Sequence, residues 1–229
     1  MTTPGNYVFS FQDGDGKNKM LLGGKGANLC EMTQIGINVP PGFVISTRGC
    51  LDYLDNKDRE LPTGVMDEVR AQIQDLEKRT GKVFGGSDNP LLVSVRSGSA
   101  MSMPGMMDTI LNLGLNIETL KGLIRQTGNE RFGWDAYRRF VQLFGKVALG
   151  ISDEVFDTEF EAVKEKAGVK EDMALTARDL REISDRFLEA VERETGNPFP
   201  DDPMEQLELA IKAVFNSWLG KRAIDYRRE

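Results

Sequence analysis

The sequence predicts an α+β protein, with short strands gathered early and a helical second half. Three observations carry this. Residues 7–11, 43–46 and 91–95 are short runs rich in Val, Phe and Ile, the residue types that suit a half-buried strand. After Pro104 proline does not recur until Pro198, and a long proline-free stretch favours helices. Charge follows the same division: residues 1–115 carry 11 Lys+Arg and 13 Asp+Glu, whereas 116–229 carry 18 and 23. The expected organisation is an α/β subdomain of residues 1–115 plus 203–229, with a helical insertion over 116–202.

The elements follow in order. Residues 7–11 read as a strand, and Asp13-Gly14-Asp15-Gly16 as a turn. Residues 25–34 read as a helix ended by Gly36. Pro40-Pro41 introduces a strand over 43–46. Thr47 is placed to cap a helix over 48–54, and Thr63 one over 65–79. Residues 91–95 form a buried strand, and 110–113 a shorter one. Helices follow at 117–127, 130–148, 153–167, 176–195 and 203–219. Thr176 with Asp179 resembles a capping box in which Asp replaces the usual Glu. Trp134, Tyr137, Phe140, Val141 and Phe144 recur at spacings of three and four, the apolar stripe of a core-facing helix.

Composition narrows the function. A chain of 229 residues, 40% hydrophobic and 28% charged, can bury a real core. Its net charge of −7 argues against a nucleic-acid footprint. Residues 1–19 lack the apolar stretch of a secretory signal. No segment approaches the roughly 18 apolar residues of a membrane span. Cys30 and Cys50 form neither a CxxC nor a zinc pattern, so a reduced, cytoplasmic setting is expected. There is no histidine. That excludes Ser-His and Cys-His pairs, histidine-bound metal and a phosphohistidine within these residues.

Four constellations can carry chemistry. Gly23-Gly24-Lys25-Gly26 is not a Walker A loop, because Lys19 and Gly26 stand where Gly and Ser/Thr belong. Nor is it a dinucleotide fingerprint, since Leu29 replaces the last glycine. Its physics is related: paired glycines admit a close ligand, and free amides at a helix start favour an anion. Lys25 there opposes the helix dipole, at about 0.3 kcal/mol or more, unless an anion lies nearby. A solvated lysine beside a tight turn fits equally well. Arg96, at the end of a strand and followed by Ser97-Gly98, can offer a planar fork to a phosphate, or pair with a structural carboxylate. The segment 99–108 holds Met101, Met103, Met106 and Met107, four of the ten methionines. It suits a lid whose amides wrap phosphate oxygens, or a hydrophobic loop at an interface. Arg138 and Arg139 both reach Asp135 at helical spacing; the two cannot share one carboxylate optimally, so one is expected to point elsewhere. Asp13-Gly14-Asp15-Gly16 is not a calcium loop, because Lys17 occupies a ligand position.

Taken together, these motifs resemble the N-terminal part of the pyruvate phosphate dikinase family. The matching stretches are Leu21 to Leu29, Val39-Pro40-Pro41-Gly42-Phe43, Pro90 to Gly98, and Ser102-Met103-Pro104-Gly105-Met106-Met107-Asp108. Asp135-Ala136-Tyr137-Arg138-Arg139-Phe140, Ala213 to Trp218 and Arg222-Ala223-Ile224 add to them. The resemblance implies an ATP-grasp domain in which a small mixed sheet with helices carries an all-helical insertion. It implies the conversion of ATP, phosphate and pyruvate to AMP, diphosphate and phosphoenolpyruvate. By motif position Lys25 and Arg96 match phosphate-binding catalytic residues. Ser102, Met103, Pro104, Gly105, Met106 and Met107 match the phosphate loop, and Arg139 a further arginine of the ATP site.

The implied cofactors are ATP and Mg2+, the latter held by carboxylates in the remaining half of the domain and by none in this chain. The implied partners are ATP/AMP, that other half and a swivelling phosphohistidine domain, within a homodimeric parent; neither nucleic acid nor membrane is among them. One departure stands out. The family's basic residue between Ser-Gly and Ser-Met-Pro is lost at Ser99-Ala100-Met101. The chain is thus expected to be a nucleotide-binding fragment, inactive alone. The alternatives are a stand-alone non-catalytic nucleotide-binding or docking module, and part of a related dikinase or phosphoenolpyruvate synthase.

Overall fold

The structure, a computed structural model, describes residues 6–98 and 109–228. It is an α+β protein in which helices predominate. The described residues fall into two compact units: one within Met1–Gly81, Arg96–Asp108 and Lys212–Glu229, the other within Lys82–Val95 and Thr109–Ile211.

In the first unit, β1 (Val8–Ser10) pairs antiparallel with β2 (Phe43–Ile45), Phe9 opposite Val44. Between them runs α1 (Lys19–Gln34). Phe11, Leu22, Ala27 and Cys30 form its core, flanked by Phe9, Leu29 and Val44. The Gln34 amide donates to the carbonyls of Gln12 (3.0 Å) and Gly14 (2.7 Å), which ties the 12–16 turn to the end of the helix. Next come α2 (Thr47–Asp55) and α3 (Val65–Thr80). Their expected caps are both displaced by one residue. Ser46, not Thr47, caps α2, and α3 starts from Gly64 at φ 92 with no side-chain cap from Thr63. Glu68 on α3 accepts from the amides of Tyr7 and Val8, each at 2.8 Å, and so satisfies the start of β1.

The second unit holds β3 (Val83–Phe84), parallel to β4 (Pro90–Leu91), and β5 (Val93–Arg96) except its last residue, Arg96, which falls in the first unit; β5 pairs with β6 (Thr109–Leu113). The strand expected over 91–95 is therefore broken at Leu92. Only Leu91 is deeply buried, and β5 alternates half-buried and exposed positions up to Arg96. Its helices are α4 (Ile117–Thr127), α5 (Glu130–Val147), α6 (Asp153–Ala167) and α7 (Ala177–Thr195). A short 3-10 turn covers Asp172–Ala174. The stripe of α5 is core, with Phe140, Val141 and Phe144 at most 1% exposed. Phe156 and Phe187 meet edge to face at 5.0 Å between α6 and α7.

The last long helix, α8 (Pro203–Ser217), begins with buried Gln206. Gln206 accepts from Gly114 N and donates to the carbonyls of Leu115 and Pro200. Farther along, Asn216 donates to the Tyr53 hydroxyl at 2.9 Å, and Phe215 packs on the Tyr53 ring. A further helix, α9 (Lys221–Arg228), was not expected from sequence. No described helix is long and apolar enough to cross a membrane.

The capping box at the start of α7 forms as expected. Asp179 Oδ2 accepts from Thr176 N (2.8 Å) and from its hydroxyl (2.7 Å), while Thr176 Oγ1 accepts from Asp179 N at 3.3 Å. Hydrogen bonding to Thr176 holds the Asp179 carboxyl below its ordinary 3.8. Loss of the cap in Thr176→Ala should cost about 1 kcal/mol. Because the folded value is depressed, Asp179 stabilises the fold above the ordinary carboxylate range, and this is lost as pH falls through the folded value. The urea midpoint of Asp179→Ala should therefore lie below wild type at pH 7 and by a smaller gap at acid pH, below the ordinary carboxylate range. An equal gap at both pH values would contradict the linkage.

Candidate functional site

Lys25 stands just beyond a break in α1. At Gly23 the backbone has φ 67 and ψ 165, so the helix stops and restarts there. That region of backbone space is almost exclusive to glycine. A tertiary contact lies against this break and also requires glycine. A Cβ on Gly23 would fall 1.3 Å from the carbonyl oxygen of Gly98, on top of it. Gly26 is glycine for a related reason: its Cβ would press on Val44 of β2 at 2.8 Å. The Ser97-Gly98 backbone lies along the Gly23–Gly26 turn. A Cβ built on Gly98 would be 3.7 Å from Gly26 N and 3.8 Å from Lys25 Cβ.

Two motifs far apart in sequence therefore meet within the first unit. One carries Lys25; the other carries Arg96 two residues before the contact. Both side chains are exposed, and among the described residues neither has a carboxylate partner. The structural ion pair that sequence left open for Arg96 is not among the described contacts. A lysine point charge and an arginine fork close to a restarted helix form an arrangement suited to phosphate oxygens.

Arg139 lies in the second unit, on α5, with its side chain 63% exposed. It donates from Nε to Asp135 Oδ2 at 3.1 Å. Arg138 takes the other oxygen: its Nη2 and Nε are 2.8 and 2.9 Å from Oδ1. This corrects the expectation that the two arginines would compete, since a carboxylate has lone pairs enough for one donor set on each oxygen. They differ in burial. Arg138 is 7% exposed and stacked over Phe160, with burial pulling its pKa down against the opposing pull of Asp135. Arg139 reaches solvent and remains the member of the pair able to meet a ligand.

Ser102, Met103, Pro104, Gly105, Met106 and Met107 lie outside the described residues. Among the described residues no group of three or more Asp, Glu or Cys is placed to hold a metal ion. Sequence reading missed Thr47 as part of this region. It read that hydroxyl as the cap of α2, whereas the hydroxyl reaches back to α1. The adjacent Ser46, an equally good cap, was the available signal.

Comparison with known proteins gives one family model, described as the pyruvate phosphate dikinase AMP/ATP-binding domain, matched by residues 19–61 and 57–229. Among curated relatives, a pyruvate, phosphate dikinase of Entamoeba histolytica is 59% identical over 222 residues, covering 97% of this chain and 25% of the relative. One from Rhizobium meliloti is 48% identical over 225 residues, covering 96% and 25%. A chloroplastic one from Mesembryanthemum crystallinum is 48% identical over 224 residues, covering 96% and 23%. The chain spans about a quarter of the length of these relatives.

Proposed function

The chain belongs to the family of the pyruvate phosphate dikinase AMP/ATP-binding domain, and from that premise we propose that it supplies one wall of an ATP site in a pyruvate phosphate dikinase. The observation that carries this reading is the backbone contact of Gly23 with Gly98, which holds the turn of Lys25 against the strand end of Arg96. Lys25 acts as a mobile point charge on the phosphates and Arg96 as a two-pronged donor. By motif position Ser102, Met103, Pro104, Gly105, Met106 and Met107, and Arg139, would be further residues of the ATP site in this reading. In this reading residues 1–115 plus 203–229 form the α/β subdomain and 116–202 a helical insertion, a division by composition that differs from that of the compact units, which part at Gly81, Val95, Asp108 and Ile211.

In the whole enzyme the site would pass a phosphoryl group from ATP to a histidine, which carries it to pyruvate. This chain has no histidine, so the acceptor belongs to another part. Mg2+ would neutralise charge on the phosphates. The described residues do not fit it, and its ligands belong, in this reading, to carboxylates elsewhere in the longer protein. On its own the chain should bind ATP weakly and transfer nothing. ATP titrated to millimolar concentration and followed by amide NMR should shift Gly24, Lys25 and Gly98. Lys25→Ala and Arg96→Ala should each weaken the response about tenfold, the effect of losing a charge-assisted hydrogen bond. Shifts of equal size in wild type and both variants would reject the assignment.

A further inference from the structure

Thr47 is the first residue of α2, yet the cap of that helix is Ser46, whose hydroxyl accepts from Gly49 N. The Thr47 hydroxyl is thereby released from capping. It donates instead to two carbonyls of α1: Met20 O at 2.6 Å and Leu21 O at 3.2 Å. In an unbroken helix these two carbonyls would accept from the amides four residues on, those of Gly24 and Lys25. The break at Gly23 interrupts that ladder. One hydroxyl proton is thus shared between the two acceptors that the break leaves without their helical donors.

We propose that Thr47 is a positioning residue for the phosphate groups of the nucleotide. By occupying the carbonyls of Met20 and Leu21 it keeps the helix from closing through Gly23. The amides of Gly24 and Lys25 then remain for phosphate oxygens, and Lys25 stays at the open turn. This rests on the ATP reading given above. A merely structural role would work through packing and would loosen the turn when lost. The positioning role predicts the reverse. Without the hydroxyl, the carbonyls recapture the amides of Gly24 and Lys25, and those amides become better protected.

The test uses this full chain as wild type, Thr47→Val, which keeps the shape and removes the donor, Thr47→Ser, which keeps the donor, and Lys25→Ala. Amide exchange at Gly24 and Lys25 is measured first, and ATP titration follows by NMR. In Thr47→Val exchange at these two amides should slow, and ATP should bind about fivefold more weakly, the effect of one net hydrogen bond. Thr47→Ser should restore both. Faster exchange at Gly24 and Lys25 in Thr47→Val, or a Thr47→Ser as impaired as Thr47→Val, would overturn the positioning role. An ATP response lost in Lys25→Ala but intact in Thr47→Val would overturn this inference alone. No ATP response in the wild-type chain would overturn it together with the ATP reading.

Discussion

Gly23→Ala should destabilise the first unit by about 2–6 kcal/mol, more than any surface change elsewhere in it. Two costs add. The backbone at φ 67 and ψ 165 is essentially closed to a residue with a Cβ, at about 1–3 kcal/mol. The new methyl would also land 1.3 Å from the Gly98 carbonyl oxygen, so one of two backbone segments must move. Overpacking of this kind costs about 1–3 kcal/mol more. Gly36→Ala is the matched control. Gly36 also has a left-handed backbone, at φ 84, but nothing lies within 4 Å of an added Cβ. It should lose only the strain, about 1–2 kcal/mol. Urea unfolding of the two variants beside wild type separates these terms. Equal losses would mean that Gly98 yields freely and that the two motifs are not held against each other. Regular helix across Gly23→Ala would be informative too, because the strain would then be relieved at the expense of the open turn.

The contrast between Gly23 and the helices of the second unit shows which parts of the structure sequence could reveal. Residues 117–127 and 153–167 were bounded correctly because their signals are local. Asn116 and Ser152 cap their starts, Gly128 and Gly168 adopt φ 63 and 69 at their ends, and the apolar spacing lies between. The capping box at Thr176 is local in the same sense. Gly23 is different. Sequence reading began the helix at residue 25 and took the paired glycines as the turn before it, whereas α1 starts at Lys19 and Gly23 is a break inside it, lying against a carbonyl from a segment far along the chain. The same holds for Gly64, where a left-handed residue does the work that Thr63 was expected to do, and for Leu92, where one strand becomes two pairings. At the candidate site, residue types alone left Lys25 and Arg96 undecided. What singled them out was the resemblance of whole motifs. What joins them in space is a glycine–glycine backbone contact that no periodicity encodes. The sharing of Asp135 by Arg138 and Arg139 was misjudged because spacing shows which groups can meet, not which oxygen each will take.

Within an intact dikinase that carries this segment, Lys25→Ala or Arg96→Ala should slow the ATP half-reaction by about 10²–10³-fold and leave the pyruvate half nearly untouched. The size follows from removing one donor aimed at charge that develops in the transition state, about 2.7–4 kcal/mol. Phosphoryl transfer asks the protein mainly for positioning and charge stabilisation, so a lysine and an arginine on the phosphates act on that step directly. The separation of the halves follows from the chain itself. It has no histidine, so in the proposed reading a phosphohistidine carrier would belong to another part, and the transfer from it to pyruvate would not involve these side chains. Both are exposed and, among the described residues, lack a carboxylate partner, so their removal leaves no buried charge behind and should not unfold the unit. Isotope exchange distinguishes the halves: label passing between ATP and its products reports the first, and label passing between pyruvate and phosphoenolpyruvate the second. Equal losses in both would make Lys25 and Arg96 supports of the fold. A loss confined to the first, with unfolding midpoints unchanged, would place both side chains on the phosphates of ATP.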